Sequence, residues 1–440
     1  MRELPEEFIK RMKAQLGADF PSFAESLAKP PVRGLRVNTL RLSPEEFAAV
    51  SPWGLEKTGI LDEGFIVTGA ENVGRHPYHA AGLFYMQEPS AMCAVRESGV
   101  TAEGMRVLDM CAAPGGKSGG AAARMAGKGI LVSNEIVSKR ASLLARNLER
   151  LGVANAAVIS AKPEAVAEEL PGFFDAVLVD APCSGEGMFR KDETAIAEWS
   201  KEHVAACAVR QGLILESAQK CVAPGGALVY STCTFSPDEN EGVIKKFLGA
   251  HSDFSVEHME RLYPHTSRGE GHFVCRLRRE GNSESARNYS RVQPARDKKA
   301  LTLLDEFVRS SMENSLPDCA VILAGERIRI VPREMPEAVL RLHPISVGVE
   351  LGELKKNRFE PSHSFFMAAL GQKYRRELAF SPDEPELAAF LSGGTIPCPE
   401  EWKGWSAVSV RAGDRAFPLG FGKAVDGVMK NHLPKGLYIL

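Results

Sequence analysis

What this 440-residue chain lacks narrows its class before any motif does. It has no run of about 18 apolar residues, the length a helix needs to cross a bilayer. Its first residues, MRELPEEFIKRMK, are charged and carry no apolar stretch, unlike a secretion signal. No membrane and a cytoplasmic location are therefore expected. The 9 cysteines are odd in number and form no CxxC pair. That argues against a disulfide framework and against a zinc site, so no metal is expected. An excess of basic charge is missing too: 54 Lys and Arg against 56 Asp and Glu leave a net charge of −2. Phosphate binding normally shows as a basic excess, so charge alone gives no sign of a nucleic-acid partner. The dinucleotide fingerprint GxGxxG is absent, and the first glycine of a P-loop would fall on Cys111. There is no internal repeat and no low-complexity tract.

What is present is globular. Hydrophobic residues make up 44% and charged residues 25%. The length calls for two or three domains, each with its own core. Residues 1–104 read as a small α+β appendage, in which RGLRVNTLRLSPEEF runs from strand through turn to helix. Residues 105–280 alternate short β-branched runs with helical stretches, the pattern of a doubly wound α/β sheet. The strands are MRVLD, GILVSNE, AAVIS, FDAVLVD and GALVYST, and a helix is expected from Val137 to Leu151, with Leu143, Leu144, Leu148 and Leu151 at helical spacing. The polar, basic stretch NSESARNYSRVQPARDKK marks a linker at 281–300, and a further α+β region fills 301–440.

In such folds ligands sit outside the carboxyl ends of the strands. That rule selects four loops: Asp109 to Ser118, Asn134 to Arg140, Asp180 to Gly187, and Ser231 to Thr234. The first, within VLDMCAAPGGKSGG, combines an acid, glycines that admit close backbone approach, and a helix start with free N–H groups. A nucleotide-like ligand is implied, against the alternative of a bare strand-to-helix turn. Glu135 closes the second strand, where a carboxylate commonly receives ribose hydroxyls or else is simply solvated. The third loop carries Asp180 and Cys183, the fourth Cys233. Free cysteines are usually buried packing residues, and Cys93, Cys207, Cys221, Cys275, Cys319 and Cys398 take that reading. Cys183 and Cys233 depart from it, because each follows a buried strand and lies in a loop among small or polar residues.

The set MCAAPGGK, NExxxxR, DAPCSGEGMFRKD and STCT, in this order, resembles the Sun/Nop family of RNA 5-methylcytosine methyltransferases. With GLFYMQEPSAM counted, the match runs from about Gly82 to Arg278. RGLRVNT, GEGHF at 269–273 and GKAVDGVMKNHLPKGL resemble the branch that modifies decoding-region cytidines of 16S ribosomal RNA, in the neighbourhood of position 1407, and carries a C-terminal PUA-like region. The resemblance implies a Rossmann-like core using S-adenosyl-L-methionine, RNA-binding units at both ends of the chain, and 16S ribosomal RNA or the small ribosomal subunit as partner of a monomer. It implies that Cys233 is the nucleophile at carbon 6, that Asp180 holds the ring edge at nitrogen 3 and lies beside the cofactor, and that Cys183 assists release. The backbone of Cys111, Ala112, Ala113, Pro114, Gly115, Gly116 and Lys117 would hold the cofactor, with Glu135 on the ribose and Arg140 in support. One departure stands out: relatives place an Asp after the third strand to meet the adenine, whereas this chain has Ser160-Ala161-Lys162-Pro163-Glu164. Two alternatives remain. A DNA cytosine-5 methyltransferase would use Cys183, after Pro182, as nucleophile, and a non-catalytic ribosome assembly factor would use neither thiol. Basic clusters at Lys355, Lys356 and Arg358, at Lys373, Arg375 and Arg376, and at Lys423, Lys430 and Lys435 are candidates for gripping phosphates, each against the alternative of a solvated face.

Overall fold

Parallel neighbours in a sheet need a crossover of a dozen or more residues, so five apolar runs separated by helical stretches dictate a parallel sheet covered on both faces. The computed structural model of the protein describes residues 4–69, 72–282, 289–356 and 358–439. In it the runs become β1 (Arg106–Asp109), β2 (Ile130–Asn134), β3 (Ala156–Ile159), β4 (Phe174–Asp180) and β5 (Val222–Thr232). They pair in parallel in the order β5-β4-β1-β2-β3. Beyond β5 the sheet continues antiparallel through β7 (His272–Arg279) and β6 (Phe254–Leu262). At the other edge β8 (Ser346–Val347), from the C-terminal half, pairs antiparallel with β3 and completes eight strands. The carboxyl ends of the parallel strands therefore open at one edge, which brings the four loops together.

The crossovers include α1 (Gly116–Met125), α2 (Ser138–Leu151) and α4 (Lys201–Cys221), with the short α3 (Pro163–Glu169) between β3 and β4. α2 buries Ala141, Leu144, Leu148 and Leu151, spaced three or four residues apart. Leu143, expected in that stripe, is 42% exposed, because it is turned about 100° from Leu144. Gly152 ends α2 at φ 80°, and a Cβ there would lie 2.7 Å from Arg41 Nη2 and 2.8 Å from the Met367 carbonyl. Both the backbone conformation and the space demand glycine.

Three smaller sheets surround this core. Gly34–Val37, Gly54–Lys57, Gly64–Thr68 and Phe84–Met86 form an antiparallel sheet near the N-terminus. Ala320–Ala324, Arg327–Val331, Val349–Lys355 and Arg358–Pro361 form a second, and strands between Glu377 and Asn431 form a five-stranded third. The N-terminal and last sheets are not separate bodies. Leu35, Val37, Phe47 and Phe84 share one hydrophobic cluster with Leu387, Phe390, Val408 and Leu419. The expected linker lies partly outside the described residues, at 283–288. Its remainder is docked: Tyr289 donates to the Pro171 carbonyl at 2.7 Å, and Val292 is buried with its N–H on the Met335 carbonyl at 2.9 Å. Two apolar anchors inside a polar stretch explain the difference. Among the described residues, no helix is long and apolar enough to cross a membrane.

Candidate active site

β1 delivers Asp109 and then the turn Met110–Gly115 into α1. Asp109 is fully buried; its Oδ2 accepts from Ser118 Oγ at 2.7 Å, while Oδ1 has no partner. Burial pushes its carboxyl up to about 6, against the Ser118 hydrogen bond. The turn is stapled from two sides. Asn134, ending β2, donates its side chain to the Met110 carbonyl at 3.1 Å and accepts the Ala112 N–H on its own carbonyl at 2.8 Å. From α2, Arg140 donates to the Ala113 carbonyl at 3.1 Å and Asn147 to the Pro114 carbonyl at 2.8 Å. Gly115 has φ 111°, a conformation that favours glycine. Glu135 is buried, with Oε1 accepting the Val137 N–H at 2.9 Å and Oε2 3.3 Å from Arg140 Nη1. Arg140, though 57% exposed in its side chain, thus ties the first two loops together. After β3, Ser160 donates to the Ile136 carbonyl at 3.3 Å and the Ala161 N–H to Asn134 Oδ1 at 3.0 Å, so small polar contacts stand where relatives are expected to have an acid.

β4 and β5 lie side by side, with Asp180 opposite Ser231. That register brings the two thiols together: Cys183 Sγ and Cys233 Sγ are 3.3 Å apart, both half-buried. The sulfur contact with Cys233, and then burial, hold the Cys183 thiol well above its ordinary range. Asp180 Oδ2 sits 2.6 Å from Lys117 Nζ, and Oδ1 accepts Ser231 Oγ at 2.8 Å. Burial works against ionisation here, but the Lys117 ammonium and His272 outweigh it and hold Asp180 far below the usual carboxylate range. Lys117 is correspondingly raised: desolvation opposes its charge and Asp180 more than restores it. The loop lysine expected to lie along the cofactor therefore also reaches Asp180, at the strand end that leads to Cys183.

Beneath the thiols, Glu239 is a buried hub. It accepts the Ser184 N–H at 2.9 Å and Gln211 Nε2 at 2.9 Å, and also receives Ser184 Oγ. Gln211 reaches on to the Pro182 carbonyl at 3.1 Å. Glu186 does the same for the other loop: it takes Arg11 at 2.6 Å, Trp199 Nε1 at 2.8 Å and the Phe235 N–H at 3.0 Å. The Cys233 carbonyl accepts the Gly187 N–H at 2.8 Å, joining the two thiol loops directly.

The sequence reading named the residues at the strand ends and missed those that hold them. Asn147, Gln211 and Glu239 carry no local signature, since each acts on a partner distant in sequence, and Asn134 was marked by NExxxxR without its stapling role. Arg36 had one, within RGLRVNT: it is 2% exposed and donates to Gln87 Oε1 and to the Gly116 carbonyl at the start of α1. Of the basic clusters, Lys355 is paired with Glu353 and Arg358 with Glu360, while Lys423 lies over the Trp405 ring. Away from the thiols, Glu97, His258 and Glu260 bring ligand-type atoms within 4.8 Å of one another, but Arg96 pairs with both glutamates.

A family model described as 16S rRNA methyltransferase RsmB/F matches residues 100–278. Models for the N-terminal domain of 16S rRNA methyltransferase RsmF, the RsmF rRNA methyltransferase first C-terminal domain and the methyltransferase RsmF PUA domain match 4–89, 306–369 and 377–439. Over 99% of its length the chain is 32% identical to ribosomal RNA small subunit methyltransferase F of Vibrio vulnificus, covering 97% of that protein. The protein of the same name from Shewanella baltica is 30% identical with the same coverage. Among solved structures, a methyltransferase homolog protein from Pyrococcus horikoshii superimposes with a TM-score of 0.53 at 28% identity, over 63% of this chain and 100% of that one. NSun6 from Pyrococcus horikoshii shares the fold, with a TM-score of 0.57 at 21% identity over 63% of this chain and 99% of that one.

Proposed function

The chain belongs to the 16S rRNA methyltransferase RsmB/F family, and from that premise we propose that it methylates carbon 5 of a decoding-region cytidine of 16S ribosomal RNA, near position 1407, through a covalent bond to Cys233. The observation that carries this reading is the pair of thiols 3.3 Å apart beside the Asp180–Lys117 ion pair. A single reactive cysteine would serve many chemistries; two at neighbouring strand ends serve addition and release on one base.

The cofactor is S-adenosyl-L-methionine, which when bound supplies an electrophilic methyl group. The residues fit it. The backbone of Cys111, Ala112, Ala113, Pro114, Gly115, Gly116 and Lys117 would follow the methionine moiety, and Asp109 leaves a buried, unpartnered acceptor at the head of that turn. Glu135 would take the ribose hydroxyls, Arg140 keeps the two loops in register, and Asp180 lies where the reacting groups meet.

Carbon 5 of cytosine is a weak nucleophile. Addition of the Cys233 thiolate at carbon 6 forms the S–C6 bond and moves the C5=C6 electron pair onto carbon 5, which can then take a methyl group. Asp180, kept ionised by Lys117, accepts a hydrogen bond from the 4-amino group on the edge of the base that includes nitrogen 3. The proton on carbon 5 then passes to the thiolate form of Cys183, the double bond re-forms and the S–C6 bond breaks, returning Cys233 as a thiolate. The order of events suits the thiols. The largest influence raising Cys183 is its contact with Cys233, so once Cys233 is bonded to carbon 6 as a thioether, Cys183 can release its own proton to solvent and act as the thiolate base. The base must be out of its stack for attack from above the ring, so locally opened RNA is the substrate form. The protein acts as a cytoplasmic monomer on the RNA or the small subunit.

The test is transfer of labelled methyl from S-adenosylmethionine to small-subunit RNA purified from a strain lacking this protein, followed by bisulfite mapping. The expected result is 5-methylcytosine in the decoding region. Label on DNA and not RNA would favour a DNA enzyme with Cys183 as nucleophile, and no label on any form of the RNA would favour an assembly factor.

A further inference from the structure

His272, within GEGHF, stands beside the reactive residues without an assigned task. It opens β7, whose next residue, Phe273, pairs with Thr232, the neighbour of Cys233. The side chain is almost wholly buried, and neither ring nitrogen has a hydrogen-bond partner. Native interiors leave few polar atoms unmet, and those they leave call for an explanation. Loose placement is not the explanation. The preceding Gly271 has φ 112°, and a Cβ on it would lie 2.3 Å from Phe235 Cε1. Its N–H donates to Ser90 Oγ at 3.1 Å, and the Glu270 N–H donates to Glu88 Oε1 at 2.7 Å. The backbone that carries the ring is thus held in place.

The facing acceptor is Asp180 Oδ1, 3.6 Å from His272 Nε2. That oxygen has one hydrogen bond, from Ser231 Oγ, while Oδ2 is committed to Lys117. A carboxylate oxygen offers two lone-pair directions, so Oδ1 has room for a second donor. The gap exceeds a normal N–H···O distance by a few tenths of an ångström. Hydrogen bonds in active sites are often long without substrate and tighten when it binds.

We propose that His272 is a positioning residue that donates Nε2–H to Asp180 Oδ1 as the target base engages, fixing the plane of the carboxylate so that the remaining lone pair on Oδ2 faces the base. Lys117 and Ser231 hold one oxygen each, but through a flexible ammonium and a rotatable hydroxyl; a ring N–H carried on β7 adds a third donor of fixed direction. This rests on the reading that Asp180 holds the cytosine.

Three replacements and one spectroscopic measurement test it. His272→Phe keeps the ring volume without a donor, and His272→Gln restores an N–H near the Nε2 position. His272→Phe is expected to lower kcat by 10-fold or more with KM for RNA changed less than about 3-fold, and His272→Gln to recover most of that loss. Wild-type kcat in the Phe variant, or equal losses in the Phe and Gln variants, would overturn the proposal. Should the Phe variant fail to fold, nitrogen-15 correlation spectra of the histidine rings in the full chain decide instead. Wild type should show His272 protonated at Nε2, with a resonance that moves in Asp180→Asn; an unprotonated Nε2 would overturn it. This measurement needs no RNA, so loss of the methylation reading and loss of the His272–Asp180 contact are told apart.

Discussion

Asp180 and Asp109 lie at neighbouring strand ends, yet their surroundings push them in opposite directions, and the contrast is testable by pH. Asp180 is held below its ordinary value, so its ionised form stabilises the fold above the unfolded carboxylate pKa of about 3.9. That contribution is lost as pH falls through this value toward the folded one. Asp109 is raised to about 6, so the folded state keeps its proton longer than the unfolded chain, and stability is lost as pH rises from about 4 through 6. Urea unfolding across this range should show that Asp180→Asn flattens the acid-side loss and Asp109→Asn flattens the decline toward pH 6. Glu239 gives a second prediction. Removing it leaves the Ser184 N–H without this acceptor and the Gln211 amide with only the Pro182 carbonyl, so Glu239→Ala is expected to cost about 2–4 kcal/mol in urea unfolding. It should also slow methyl transfer by loosening the Cys183 loop. Cys183, Cys233 and Asp180 were legible in the sequence because tetrapeptides at strand ends mark them. Glu239 was not, because its role comes from partners tens of residues away, and GEGHF marked His272 without giving it a task.

The elements were legible where periodicity was strong and opaque where one residue type had two uses. α2 occupies Ser138–Leu151, one residue short of the expected start. β5 begins at Val222, four residues before GALVYST, because its first part continues the sheet from the end of α4. The glycines of GGKSGG looked like a ligand cradle, and only part of that holds. Gly119 and Gly120 make room for packing: a Cβ on Gly120 would meet Arg36 Nη1 and Val95 Cγ2 at 2.8 Å, and one on Gly119 would meet Leu151 Cδ1 at 2.6 Å. Arg36 braces the Gly116 carbonyl, so this packing bears on the cofactor turn. Gly120→Ala should destabilise the protein by about 1–3 kcal/mol and weaken S-adenosylmethionine binding, read by urea titration and calorimetry. Unchanged affinity would separate the packing from the turn.

At the scale of the whole molecule, composition suggested units joined by a linker, and the first and last of these pack on one another. The N-terminal and last sheets share one apolar cluster, and Arg415 donates to the Arg41 carbonyl at 2.7 Å. Asn38 donates to the Gly82 and Leu151 carbonyls at 2.7 and 2.8 Å, fastening the N-terminal sheet to α2. No sequence pattern announces that residues more than 300 apart will form one core, since each half is only a set of apolar strand faces in need of cover. Deleting 377–440 should therefore expose Leu35, Phe47 and Phe84, and circular dichroism melting should lose its cooperativity with increased binding of a hydrophobic dye. An unchanged, cooperative remainder would show that the halves are independent. This packing joins the N-terminal and last sheets through one apolar cluster, and the thiols carry the central claim. The most direct measurement is covalent complex formation between RNA and the purified Cys233→Ala and Cys183→Ala proteins in the presence of S-adenosylmethionine, resolved on denaturing gels. The account predicts no adduct with Cys233→Ala and an accumulating adduct with Cys183→Ala; an adduct that persists without Cys233 and vanishes without Cys183 would contradict it.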